Sequence, residues 1–392
     1  MTPASGPQLA DFELIESRAD LDSLAQELMS KKLLAFDTEA DSFYHYFDKT
    51  CLVQVATRQQ IYLIDPLAIG GPSELSPLAP VFASPDIRVI FHAAEYDIFV
   101  LKRDCAFKFQ NLFDSMISAQ LLGYPSVGLA SIAERHFGVH LPKEQQRSDW
   151  SARPLSAKQL SYAASDVLYL IELYEILTKE LKAAKRINWA REEFAALCGR
   201  SWPDREFDEL GYLKIKGARK LSKTSLSILK ELYAVRDQRA REMDRPAFKV
   251  LGNRTLLEIA EHAPDKRDDL GQIKGITDLI QRRMGRDLMA AVRTGKKTEH
   301  GPIPKTTNRS GRRRLDREGE RRFAALKSWR VEKAEALSLD PGVLCPNSSL
   351  EAIALFDPKT KSDAANIDEL KGWFVREFAS EIVKISANAN AT

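Results

Sequence analysis

A chain of 392 residues with 44% hydrophobic content is long enough for two or three domains with sizeable cores. Its 58 Lys and Arg against 55 Asp and Glu, a formal charge of +3, exclude a uniformly basic polymer-coating protein, so any grip on nucleic acid must come from local patches. Four scattered cysteines (Cys51, Cys105, Cys198, Cys345) with no C-x-x-C pair give no pattern for a zinc ribbon or a disulfide scaffold. The opening MTPASGPQLADFELI lacks a basic start and apolar core, and no stretch of about 18 uncharged apolar residues follows, so the expectation is a soluble cytoplasmic protein without membrane contact.

The first elements predicted in chain order are a helix near Leu21 to Ser30 and a short apolar strand ending at Phe36. Side chains alternate along a strand, so Asp37 and Glu39 in LLAFDTEAD fall on one side, where both can face one cation. A D-x-E at a strand end is also simply where polar loops begin. Strand-like runs at Cys51 to Thr57 and Gln60 to Ile64 read as a hairpin, and Asp65 before Pro66 reads as a turn initiator. A further strand, RVIF, leads into a helix through Leu101 that carries Asp97 in its first turn, where the dipole alone favours an acid. FQNLFDS leads into a helix with Met116, Ala119 and Leu122. Early hairpins followed by alternating strand and helix predict a mixed α/β sheet flanked by helices.

One long helical pattern, SAKQLSYAASDVLYLIELYEIL, has apolar residues at Leu160, Ala163, Val167, Leu170, Ile171 and Tyr174. It places Tyr162 and Asp166 on one face, four residues apart. An acid among apolar neighbours is costly to bury unless paired or metal-bound. Oxygen donors of this kind suit hard divalent cations, and paired Mg²⁺ or Mn²⁺ ions support in-line displacement at phosphorus.

The C-terminal half repeats itself. LKELYAVRDQRAREMDRPAFKVLGNRTLLEIA from Leu229 matches FAALKSWRVEKAEALSLDPGVLCPNSSLEAIA from Phe323 at an offset of 93 to 94 residues, pairing Arg236 with Arg330 and Leu256 with Leu350. Each copy predicts a small helical bundle, with an N-cap Asn before L-x-x-I-A. Between the copies lies a basic stretch that includes Lys305, Arg309, Arg312, Arg313, Arg314, Arg317, Arg321 and Arg322, broken early by Pro302 and Pro304. It reads either as a solvated linker or as a phosphate contact.

The order D-x-E, then H-x-x-x-x-D, then Y-x-x-x-D, with QRSDWSARPLS leading into the third motif, resembles the DEDD superfamily of 3′→5′ exonucleases, in the tyrosine subclass and the ribonuclease D family. The two repeats resemble HRDC domains. This resemblance implies a ribonuclease H-like α/β domain over residues 1–190, a connecting segment over 191–221, all-α bundles over 222–298 and 318–392, and a basic linker over 299–317. It also implies that Asp37, Glu39 and Asp166 hold the ion binding the nucleophilic water. Asp37 would bridge to a second ion, Asp97 would reach that ion directly or through water, and Tyr162 would orient the nucleophile. Thr38, His92, Phe43 and Arg153 are candidate substrate contacts. His92 also fits a structural role, and Phe43, Tyr44, Tyr46 and Phe47 fit either base stacking or core packing. Ala93 stands where several relatives place Asn.

HRDC domains also occur in RecQ-type helicases, but GARKLSKTS and TGKKT lack the glycine spacing that wraps phosphates. An inactive RNA-binding adaptor is disfavoured by the complete carboxylate set, and a single-strand DNA exonuclease of the same superfamily would share the catalytic motifs. The expectation is therefore a monomeric exoribonuclease using two divalent ions (Mg²⁺ or Mn²⁺) to trim RNA from a free 3′ end, with tRNA precursors as the foremost substrate.

Overall fold

The structure is a computed structural model, which describes residues 11–203, 206–298, 300–301 and 315–390. The chain divides into two compact units. The first contains Met1–Ala40, Thr50–Trp202 and Arg312–Thr392, and the second contains Asp41–Lys49 and Pro203–Gly311.

Unit 1 is built on a six-stranded mixed sheet of order β1-β4-β3-β2-β5-β6. The strands are β1 (Phe12–Ile15), β2 (Leu33–Ala40), β3 (Thr50–Ala56), β4 (Ile61–Ile64), β5 (Arg88–Phe91) and β6 (Leu112–Asp114). β2, β3 and β4 run antiparallel in hairpin succession, while β1, β5 and β6 add in parallel. Every residue of β3 is buried, as expected of a strand covered on both faces. β1 and β6 are additions to the expected sheet, and each is too short for a two-residue period to stand out.

The helices α1 (Arg18–Leu28), α2 (Pro66–Ile69), α3 (Ala79–Ala83), α4 (Glu95–Cys105), α5 (Ser115–Leu122), α6 (Leu129–Phe137), α7 (Ala157–Leu168), α8 (Leu170–Ala183) and α9 (Ile187–Gly199) surround the sheet. α7 lies over β2, β3 and β4, and α8 contacts β2 and β5. The single helix expected after Ser156 is two, α7 and α8, because the backbone leaves helical geometry at Tyr169 (φ −105°, ψ 1°), whose ring stacks on Phe137. Under the sheet, Phe36, Phe82, Phe91, Phe107 and Phe109 form an aromatic cluster with Phe36 and Phe82 centroids 4.6 Å apart.

The repeat appears as two five-helix bundles in strict register. The first has α10 (Lys223–Glu242), α11 (Ala247–Val250), α12 (Asn253–His262), α13 (Arg267–Gly271) and α14 (Asp278–Lys297). The second has α15 (Arg317–Ala336), α16 (Pro341–Leu344), α17 (Asn347–Phe356), α18 (Lys361–Ala365) and α19 (Gly372–Asn390). Every helix start differs by 94 residues, as Asn253 against Asn347 shows. In each copy a buried arginine satisfies the same internal acceptors. Arg236 Nη1 donates to Leu251 O (3.1 Å) and Asn253 Oδ1 (2.7 Å), and Arg330 Nη1 to Cys345 O (2.8 Å) and Asn347 Oδ1 (2.9 Å). The expected N-cap asparagines are corrected accordingly: the cap positions are Gly252 and Pro346, and the Asn side chains instead accept from the buried guanidinium. Arg322 from the basic stretch is also buried, donating to Ala354 O at 2.9 Å, while residues 302–314 of that stretch lie outside the described residues.

The second bundle shares one continuous core with the sheet domain. Trp189 of α9 stacks on Trp373 of α19 (centroids 4.4 Å, 16° between planes), and Arg186 Nη2 donates to Leu337 O at 2.6 Å. In unit 2, Tyr46 enters the core of the first bundle. Its hydroxyl donates to Asp237 (3.0 Å), and Asp244 accepts from the Tyr46 and Phe47 amides (each 3.0 Å). No helix among the described residues is long and apolar enough to cross a membrane.

Gly123 caps α5 at φ +77°, and a Cβ there would overlap the Ser338 carbonyl oxygen that precedes α16. Gly123→Ala therefore combines left-handed strain with a backbone clash at the second bundle's seat, and we expect a loss of at least ~2 kcal/mol in thermal or denaturant unfolding. A melting temperature equal to that of the parent chain would refute this seat.

Candidate active site

Asp37 and Glu39 are on β2, at its side-chain period of two, and the central position of that strand brings them beneath α7. Asp166 descends from α7, and Asp37, Glu39 and Asp166 each offer a carboxylate oxygen within 4.8 Å of the others. Asp97, in the first turn of α4, lies on the same cavity wall but outside that group of three. Thr38, between the two β2 acids, donates its hydroxyl to Asp97 Oδ1 at 2.6 Å. The cavity is about 450 Å³; of the acids that line it Asp97 is buried, and Asp37, Glu39 and Asp166 are half-buried.

These groups interact strongly. Burial, then the charges of Asp97, Asp166 and Glu39, hold the Asp37 carboxyl well above the usual carboxylate range. Burial, then Asp166 and Asp97, do the same to Glu39. Burial pushes Asp97 up to about 6 against the opposing Thr38 hydrogen bond, and pushes Asp166 up to about 7 against a hydrogen bond from Tyr162. The Tyr162 phenol is raised by burial and by Asp166, Glu39 and Asp37, so at neutral pH it is a protonated donor and not a base. Its ring leans on the buried Trp150, 6.0 Å between centroids. Opposite Asp37 in the β2/β3 ladder stands Gln54, wholly buried, with neither amide atom partnered among the described residues.

An all-oxygen donor set that repels itself when ionised fits divalent cations: Asp37, Glu39 and Asp166 would hold one ion, with Asp97 beside them. Cation binding replaces the protons that otherwise relieve the repulsion.

His92 lines the same cavity, and burial lowers its imidazole to about 4, so it is neutral at physiological pH. Ser115 Oγ donates to Phe91 O (3.1 Å) and so accepts from His92 Nδ1 (2.9 Å), which assigns the tautomer and leaves Nε2 as an acceptor. The turn that follows is held by a residue that sequence reasoning missed. Asp114 ends β6, N-caps α5 through Met116 N (2.8 Å) and Ile117 N (3.0 Å), and also accepts from Ala93 N (3.3 Å) and Ala94 N (2.8 Å). Those amide bonds fix Ala93 at φ 59° and so aim α4 and Asp97.

Two other candidates are elsewhere. Arg153 does not line the cavity: it forks onto Asp65 (2.6 and 2.7 Å) and donates to Cys51 O (2.8 Å) and Trp150 O (2.7 Å), tying the segment before α7 to β3. Asp65 caps α2, accepting from Leu67 and Ala68 amides, as a turn initiator should. Phe43 belongs to unit 2, edge-on to Phe248 at 6.5 Å. Sequence reasoning also missed Tyr96, Lys143 and Gln146, which line the cavity from α4 and from the segment before α7; the polar run PKEQQRSDW was the available signal.

The raised carboxyls predict how stability depends on pH. The folded, metal-free protein binds protons between about pH 4 and 7 that the unfolded chain does not, so its melting temperature falls as pH rises through that window. Asp166→Asn should flatten this slope and raise the metal-free melting temperature at pH 8, and adding Mn²⁺ to the parent should release protons into weak buffer. An unchanged slope in the variant would contradict the coupling. At Ala93, whose φ is left-handed, Ala93→Asn should stabilise by up to ~1 kcal/mol and Ala93→Val should destabilise by more than ~1 kcal/mol in equilibrium unfolding. The reverse order would rule out backbone strain there.

Comparison with known proteins agrees with this arrangement. The family model for 3′→5′ exonucleases matches residues 12–182, and that for the HRDC domain matches residues 225–292 and 319–385. Ribonuclease D of Desulfotalea psychrophila is 29% identical over 372 residues, covering 93% of this chain and 96% of that protein. Ribonuclease D of Shewanella sp. (strain ANA-3) is 32% identical over 289 residues, covering 73% of each chain. The crystal structure of Escherichia coli RNase D, described as an exoribonuclease involved in structured RNA processing, superimposes with a TM-score of 0.70 at 26% identity, covering 95% of this chain and 99% of that one. The carboxylate-lined cavity on a mixed sheet and the paired HRDC bundles thus have one family in common, and the chain belongs to it: it is a ribonuclease D family exoribonuclease.

Proposed function

We propose that this chain hydrolyses structured RNA from its 3′ end one nucleotide at a time, releasing nucleoside 5′-monophosphates, with tRNA precursors as its foremost substrate. The observation that carries this reading is the meeting of Asp37, Glu39 and Asp166 within 4.8 Å, beside Asp97 and Tyr162. Two divalent ions, when bound there, would supply an activated water and charge stabilisation at the leaving oxygen. Asp37, Glu39 and Asp166 would hold the first of them, and Asp37 with Asp97 would hold the second.

The protein's own groups set the geometry. The protonated Tyr162 phenol, donating to Asp166, keeps oxygen lone pairs with which to accept a hydrogen bond from the attacking water and orient it. Thr38 fixes the Asp97 carboxylate. Lys143 brings a cation to the cavity mouth for the scissile or penultimate phosphate, and His92 Nε2 offers an acceptor to a hydroxyl of the terminal ribose. The division into an exonuclease domain (1–190), two HRDC domains (222–298 and 318–392) and a basic linker (299–317) belongs to the same proposal. The E. coli relative, described as acting in structured RNA processing, supports the choice of substrate.

End-labelled RNA and single-stranded DNA incubated with Mg²⁺, Mn²⁺ or EDTA test the reading. Expected are metal-dependent, stepwise products from the 3′ end of RNA. Asp37→Ala should abolish turnover, and Tyr162→Phe should slow it by about 10²-fold or more while RNA binding survives. Internal cuts, turnover in EDTA, or a preference for DNA would overturn it.

A further inference from the structure

β3 lies inside the sheet, between β2 and β4, and all of its residues are buried. A strand covered on both faces is best built from apolar residues, and Cys51, Leu52, Val53, Val55 and Ala56 follow that rule. Thr50 departs from it with a partner in place, since its hydroxyl donates to Asp104 at 2.9 Å. Gln54 departs from it without one. Its side chain is fully buried, and neither Oε1 nor Nε2 has a hydrogen-bond partner among the described residues. The other unpartnered buried groups there, such as Trp150 Nε1 and Thr178 Oγ1, lack a partner at one atom each. A buried amide with nothing to bond costs more than an apolar side chain of the same size. Met or Leu would therefore suit the metal-free strand better, and the amide has to act in another state of the site.

The strand ladder identifies its partner. Gln54 stands directly opposite Asp37 on β2 and Leu63 on β4. Opposed residues project from the same face with Cβ atoms roughly 5 Å apart, so Gln54 shares with Asp37 the face from which Asp166 of α7 approaches. Leu63 offers nothing to an amide, and Glu39 is a diagonal step further away, opposite Leu52. Gln54 does not line the carboxylate cavity. It therefore meets Asp37 from within the sheet and not from the side open to ions and substrate. An ionised carboxylate has about four lone-pair sites, so the Asp37 oxygens can bind ions and still accept an N–H.

We infer that Gln54 is a positioning residue of the metal site: its Nε2 donates to the Asp37 carboxylate when divalent ions hold that group ionised, and so fixes the orientation in which Asp37 meets them. Outer hydrogen bonds of this kind orient ligating groups, and losing one typically weakens metal affinity by about 10- to 100-fold. The inference rests on the carboxylates holding divalent ions. It adds a group outside the cavity on which their grip depends.

The test uses the full chain, stripped with EDTA and dialysed, with Mn²⁺ as the probe and the electron paramagnetic resonance signal of free Mn²⁺ as the readout. Binding that Asp37→Ala removes defines the site. Gln54→Met keeps the length of the side chain and Gln54→Leu fits the apolar strand, and neither offers an N–H. Both should bind Mn²⁺ at that site about tenfold or more weakly, with a metal-free melting temperature equal to the parent's or higher. Turnover lost at limiting Mn²⁺ should return as Mn²⁺ is raised, with KM for RNA unchanged. Unchanged Mn²⁺ affinity in both variants would overturn the inference. So would a metal-free melting temperature well below the parent's in both, which would make Gln54 a structural group with a partner already in place. A parent that binds Mn²⁺ through Asp37 but does not degrade RNA overturns the proposed function alone; a parent that binds no Mn²⁺ overturns both.

Discussion

Everything in the exonuclease half serves to hold together carboxylates that repel one another. Asp37, Glu39, Asp97 and Asp166 are each raised by burial, and all but Asp97 are raised further by another member of the set. At neutral pH such a cluster favours unfolding, protonation or a cation, and only the last serves phosphoryl chemistry. The protein must therefore resist local collapse with interactions elsewhere. That resistance comes from spreading the acids over three rigid elements: the middle of β2, the first turn of α4 and the interior of α7. None can retreat without dragging a strand or helix out of a packed core.

The supports are small and specific. Thr38 fixes Asp97 across the strand, Tyr162 bonds to Asp166 one helical turn away, and Asp114 closes the turn that launches α4. Arg153 works at longer range, linking the segment that precedes α7 to Asp65 and β3. A guanidinium so thoroughly engaged positions a helix. The same physics makes Tyr162 useful. Burial and the acids that raise its phenol keep it a protonated hydrogen-bond donor to Asp166.

The parts of this site governed by short-range periodicity were legible in the sequence. A two-residue spacing put Asp37 and Glu39 on one side of a strand, and a four-residue spacing put Tyr162 and Asp166 on one side of a helix. Features decided by contacts distant in sequence were not. β6 has three residues and pairs only because β5 lies beside it; Asp114 gains its role from a turn about 20 residues earlier. Tyr169, whose ring stacks on Phe137, leaves helical geometry in the middle of a continuous apolar pattern. Asn253 carries the signature of a helix cap, yet a buried arginine 17 residues away claims its oxygen. Local propensity proposes such pairings, and tertiary partners dispose of them.

The duplicated bundle shows what such partners leave unchanged. Arg236 and Arg330 keep the same two acceptors, and in both copies Nε is left without a partner. A buried cation with incomplete satisfaction leaves little latitude, because losing either acceptor would strand more of its charge. Surface positions carry no such penalty. There the copies separate into an apolar, acidic face stacked on Trp189 and a basic one with Leu279 exposed. Internal charge satisfaction thus preserves the fold of each bundle while its outer face is free to match a different neighbour.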